Sequence, residues 1–380
     1  MRIVQETLRR PGELAKALGA LSALQPDLLL AFAATTQLNA PDLVASLRSA
    51  CPQSLLLGCS TAGEITAQGV DNASCVLTAI RFDKVRLTEG CTVLTGMNDS
   101  FAAGARLAQQ LQAPDLKAVL VFGPGVQING SALVNGLASV LGTELPITGG
   151  LAGDDGAFRQ TFTLGRDGVS DQAVVAVGFC GNELHLGHGS FGGWEPFGPA
   201  RKVTRCEGNV LFELDGEPAL AVYKRYLGEH AARLPASGLL FPFAMLGEDH
   251  HSSGLIRTIL GIDEAAGSLT LAGEIVTNGY LKLMHASTDK LVAGAETAAE
   301  MAAGMLDNAG DCLSILVSCV GRKLVMGEGV DEEVEAVSAI FGSKAVLTGF
   351  YSYGEISPFK PDAACRLHNQ TMTITCLSES

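Results

Sequence analysis

Three times the chain writes the same unit, and that repeat limits the fold more than any other feature. The first copy runs "DLLLAFAATT", "APDLVASLRSA", "SLLLGCSTAGEI"; the second "KAVLVFGPG", "GSALVNGLASVL", "LPITGGLAGDD"; the third "CLSILVSCVG", "VDEEVEAVSAIF", "AVLTGFYSYGEI". In each, an apolar run reads as a buried strand, an amphipathic stretch as a helix, and a second apolar run as a strand ending in a glycine-bearing loop. Each copy is preceded by a helix, "PGELAKALGALSAL", "SFAAGARLAQQLQ" or "STDKLVAGAETAAEMAAGML", and followed by β-type text with turn signals. Repeated strand-helix-strand units predict an α/β fold with mixed sheets. The strands are expected around residues 28 to 33, 55 to 58, 118 to 122, 146 to 149, 313 to 318 and 345 to 349. They should form parallel pairs, because a helical crossover joins parallel neighbours.

Such crossovers are right-handed, so the loops after the second strands share one edge. Gly58, Cys59, Ser60 and Glu64 from the first copy, Asp154 and Asp155 from the second, and Tyr351 and Glu355 from the third then face one region. Two readings follow. The glycines make tight strand exits and the carboxylates bind nearby N–H groups, or the loops roof a ligand cleft, since open α/β sheets hold ligands beyond their strand C-termini.

Catalytic patterns fail on inspection. "GCSTAG" has one residue too many between Ser60 and Gly63 for a nucleophile elbow. "GHGSFG", 187 to 192, matches a dinucleotide fingerprint, but Pro196 and Pro199 stand where the phosphate-binding helix should begin. An enzyme using Cys59, Glu64 and Glu355 stays open as an alternative, with a buried thiol the plainer reading of Cys59.

Composition narrows the partners. A net charge of −14 opposes a phosphate backbone, and no basic cluster offsets it. Ten cysteines without a C-x-x-C pair read as reduced, mostly buried thiols, which argues for a cytoplasmic protein and against zinc. No apolar run is long enough to cross a bilayer, and the N-terminus lacks a signal-peptide core, so neither membrane insertion nor secretion is expected.

The stretch "LHLGHGSFGGWEPFGP" puts His185 and His188 among glycines, then Phe191, Trp194 and Phe197. A glycine-flanked histidine lets a flat macrocycle approach the backbone, its imidazole can bind iron, and aromatic rings can cover a porphyrin. A glycine-rich strand end plugged by aromatics is the plainer alternative. The acidic turn "ELDGEP", 213 to 218, divides the chain into residues 1–218 and 219–380, and "GLLFPFAML", "LIRTILGIDEAAGSLTLAGEI" and "YLKLMHAS" open the second half with antiparallel β text. A cleft between the halves is a natural ligand position.

"GCSTAGEI", "GGLAGDDGAF", "GGWEPFGP", "VTRCEGNVLFELDGEPALAVY", "TDKLVAGA" and "TGFYSYGEI", in this order, resemble the motifs of the FIST family, named for F-box and intracellular signal transduction proteins. The resemblance covers almost the whole chain, as FIST N-terminal and C-terminal halves, and implies a sensory, ligand-binding protein without catalysis. With "YKRYLGEH" added, the chain is similar to the stand-alone nitric-oxide-sensing haem proteins of that family. That similarity implies haem b, iron held by a histidine, and nitric oxide reported to a histidine kinase or a cyclic-di-GMP synthase or phosphodiesterase; it leaves room for a homodimer. His188 is the first choice of axial ligand and His185, on the opposite strand face, the second. His250, His251 and His285 stay open, and His230 and His368 are least suited. A non-haem receptor for an amino-acid-like ligand is the alternative that the family's general motifs imply.

Overall fold

The structure, a computed structural model, describes residues 1–306, 311–359 and 363–380. The strands Leu28–Ala33 and Leu55–Ser60, Leu116–Gly123 and Ile147–Leu151, and Cys312–Cys319 and Ala345–Ser352 form three parallel pairs, as the repeat requires. Residues 28 to 33 and 312 to 319 are buried throughout, Ser314 and Ser318 included, which explains why neither run alternates apolar with exposed polar residues. Each pair belongs to a six-stranded mixed sheet completed by antiparallel strands on either side. The fold is α/β with mixed sheets.

The three units are interlocked by exchange. After its second parallel strand, each unit sends a short hairpin into another unit's sheet. Glu64–Thr66 of the first pairs with Ala345–Ser352 of the third, Gly354–Pro358 of the third with Ile147–Leu151 of the second, and Thr163–Gly165 of the second with Leu55–Ser60 of the first. The cycle closes, so no sheet is complete without a neighbour. At the centre, the rings of Phe32, Phe122 and Phe350 touch pairwise, with centroids 4.8 to 5.7 Å apart. This apolar centre is filled by side chains.

One glycine recurs at the same place in each unit. A Cβ on Gly58, Gly149 or Gly349 would lie 1.9 to 2.0 Å from the carbonyl oxygen of Ala31, Val121 or Leu316, its partner across the parallel pair. The absent side chain lets the strand ends cross closely before the hairpins leave.

The third unit is interrupted. Its first strand, Leu184–Phe191, lies beside its last, Met372–Glu379, and an antiparallel sheet is inserted before its helix Thr288–Gly304. The antiparallel text expected to open the second half is present, but the sheet begins earlier, at Glu195–Glu207 and Val210–Leu214, on the other side of the acidic turn. "WEPFGP" is thus the start of a strand; a proline can sit there because a strand start needs few ladder donors. The insert has its own apolar core under the helix Ala219–Leu227.

Candidate functional site

The loops after the three second strands meet at one junction. The three loops do converge, through backbone bonds between units: Gly153 N–H donates to Ser60 O at 2.9 Å, Ala62 N–H to Tyr351 O at 2.8 Å, and Tyr353 N–H to Leu151 O at 3.1 Å. Their carboxylates turn inward. Glu64 accepts the Ser74 N–H at 2.9 Å and the Thr61 and Ser74 hydroxyls; Glu355 accepts the Thr371 N–H at 3.1 Å and the Ser352 and Thr371 hydroxyls. Asp154 accepts three N–H groups, from Phe158, Arg159 and Gln160, besides the Tyr353 hydroxyl. These groups stitch turns, because a buried carboxylate must find donors. Only Asp155 reaches solvent, 3.6 Å from Lys323 Nζ, which also donates to Ala62 O and Asn72 Oδ1.

Cys59 has no exposed surface, and burial pushes its thiol well up. A nucleophilic cysteine needs its thiolate, so this environment is the wrong one. Tyr351 is equally buried and donates to Glu333. Gly58 and Ser60 are likewise interior; Ser60 Oγ donates to Gly153 O at 2.7 Å.

His188 lies on the strand Leu184–Phe191 and is 3% exposed. Its flanking glycines have a different use from the one expected. A Cβ on Gly187 would lie 2.2 Å from Ala302 O, and one on Gly189 2.0 Å from Ala298 O, so the helix Thr288–Gly304 occupies the face that a macrocycle would need. The strand turns His188 the other way, alongside Thr375, on the face whose Leu184, Leu186 and Leu377 join the central apolar cluster. His185 points opposite to His188 and is exposed. The aromatics do not gather around either: Trp194 donates its Nε1–H to Gln370 O at 2.8 Å and packs with Met284, Leu291 and Met326, while Phe191 and Phe197 are about 40% exposed. These residues do not fit a haem as they stand. Among the described residues no three His, Cys, Asp or Glu side chains gather as a metal-holding group.

The other histidines have local partners. His250 lies against Tyr280, His285 against Phe197, and His251 beside Asp249. Burial pushes His368 down to about 4, with its Nε2 2.9 Å from Ser357 O. His230 sits beside Arg233.

The seam between the inserted sheet and the core holds what the loops do not. A cleft of about 400 Å³ is walled on one side by the helix Gly130–Leu141 and the hairpin residues 364 to 367, and on the other by Met245, Leu255, Arg257 and residues 274 to 276 of the insert. A second hollow of about 350 Å³ shares Glu274 with it. Arg257 is 3% exposed, yet no carboxylate among the described residues is within ion-pairing distance. Its four hydrogen bonds, to Glu274 O, Ile256 O, Leu367 O and Asn369 Oδ1, are all 3.4 to 3.5 Å long and all to neutral oxygens. Burial pushes its guanidinium down to about 10, still charged at neutral pH. Ser131 Oγ, on the helix Gly130–Leu141 that walls the same cleft, is buried with no partner among the described residues. Sequence reading missed both residues. The available signal was a lone arginine inside the apolar run "GLIRTIL".

Comparison with known proteins agrees with the motif reading. Residues 27–217 match the FIST N domain and residues 219–358 the FIST C domain. A stretch of 105 residues is 39% identical to an uncharacterized protein of Methanocaldococcus jannaschii, covering 26% of this chain and 19% of that protein. A cyanuric acid hydrolase structure from A. caulinodans aligns over 99% of both chains at 9% identity, with a TM-score of 0.38. No helix among the described residues is long and apolar enough to cross a membrane.

Proposed function

The chain belongs to the FIST family, whose domains are sensors in signal transduction, and from that membership we propose that it binds a small ligand at the seam between insert and core. The bound state is then passed to a separate signalling protein. The observation that carries this reading is the cleft itself. It is walled by two bodies with separate apolar cores, and a ligand touching both changes the balance between their arrangements. The reading places ligand binding, not catalysis, at the seam, and the interlocked loops then serve as the frame.

The test adds the chain to the histidine kinases and cyclic-di-GMP enzymes of its own cells in turn, once dialysed and once loaded with the small-molecule fraction of those cells. A change in the rate of any one of them supports a sensor. Equal rates, with equal binding of both forms, remove it.

A narrower proposal comes from the text His185 to Phe197: the signal is nitric oxide on haem b, and the listener a histidine kinase or a cyclic-di-GMP enzyme. When bound, haem would supply the iron that takes the gas. The packing around His188 speaks against that seat. An absorption spectrum after haem reconstitution decides it: a Soret band lost in His188→Ala but kept in His230→Ala supports the haem reading, and a spectrum indifferent to both leaves the non-haem, amino-acid-like receptor.

A further inference from the structure

We propose that the Arg257 cleft is an anion site, built for the carboxylate of a small organic ligand. The proposal deepens the sensory reading and rests on it for its biological use.

A buried guanidinium stays ionised, and an ionised group taken out of water is costly unless it is paired. This fold shows what full pairing looks like: Arg322, with no exposed surface, meets Glu333 at 2.7 Å and donates as well to Ser318, Gly192 O and Leu291 O. Arg257 is buried almost as deeply, and among the described residues it has four long contacts, all to neutral oxygens. The missing counter-charge is therefore the ligand's.

Geometry and charge set its class. Arg257 lines the cleft, and a planar fork of donors matches a carboxylate in bidentate fashion. Ser131, on the helix that walls the same cleft, brings a buried hydroxyl with no partner among the described residues, in the first turn of a 12-residue helix, where the peptide dipoles also favour negative charge. Among the described residues two other charged side chains line the cleft, the exposed Arg366 and Glu274. Two arginines and one glutamate sum to +1, which suits one carboxylate and not a phosphate dianion. The rest of the wall mixes Val134, Met245 and Leu255 with Asn135 and Thr143, so the body of the ligand meets apolar and polar surface alike.

The test uses the full chain, with benzoate as the probe and benzamide as its neutral counterpart, at fixed ionic strength. Saturation-transfer NMR reads binding, and a thermal melt reads stabilisation. Benzoate should bind and raise the melting temperature while benzamide does neither. Arg257→Gln should weaken benzoate about tenfold or more, as expected for losing a charged hydrogen-bond pair. If that variant does not fold, Arg257→Lys, which keeps the charge but loses the fork, and Ser131→Ala carry the test, each with weaker binding expected. Equal binding of the two probes, no binding of benzoate, or undiminished binding by these folded variants overturns the proposal. The measurement reads binding alone, so it can fail while a listener still responds, and succeed while none does.

Discussion

Arg322 and Glu333, neither with any exposed surface, are joined by a 2.7 Å ion pair that ties the helix Val330–Phe341 to the link leading into the insert. The link matters because Arg322 also holds Gly192 O, and a Cβ on Gly193 would lie 2.1 Å from Lys290 O. The glycine-rich text 187 to 193 thus lies against the helix Thr288–Gly304 at Gly187, Gly189 and Gly193. Arg322→Met strands a buried carboxylate and should lower stability by about 3–5 kcal/mol in urea unfolding.

Arg257→Met should behave in the opposite way. With no carboxylate partner to strand, the ligand-free variant should melt at the same temperature as the parent or higher, the pattern of a residue kept for binding at some cost in stability. A loss of stability like that of Arg322→Met would mean that Arg257 is structural.

The frame should show a pH signature from Glu355. Burial pushes this carboxyl up to about 7, against the donors Ser352 and Thr371. A carboxyl with a raised folded pKa favours the protonated state, so its contribution falls as pH rises from the unfolded value through about 7. Between pH 5 and 8 the parent should lose about 2 kcal/mol relative to Glu355→Gln, followed by chemical unfolding across that range. An identical slope in both proteins would place the group's pKa at its ordinary value.

The repeated glycine is testable in any unit. Gly349→Ala forces a Cβ against Leu316 O and should cost about 3 kcal/mol or more, since neither strand end can move without its exchanged hairpin. Gly304→Ala, where a Cβ meets nothing within 4 Å, is the control and should change little.

Much of the frame was legible because the parallel strands are buried on both faces and therefore mostly apolar, with no exposed polar residue in alternation. The hairpin exchange was not. Strands of three residues such as Glu64–Thr66 carry no periodicity, and nothing local says whose sheet they join. The candidate site suffered in the same way. Gly187 and Gly189 flank a histidine in sequence, but their meaning lies in a helix that begins about a hundred residues later. Arg257 looks like any strand arginine until the fold brings the hairpin residues 364 to 367 and the helix Gly130–Leu141 around it. Burial and charge compensation are tertiary facts, and both sites turn on them.

Hydrogen exchange, with the chain in buffer and in the small-molecule fraction of its own cells, reads ligand binding at the cleft itself. The account predicts slower exchange in the helix Gly130–Leu141 and in residues 255 to 257 and 365 to 367, the two sides of the cleft. Protection confined to the strand Leu184–Phe191 or to the loop 58 to 64, with the cleft unchanged, would contradict it.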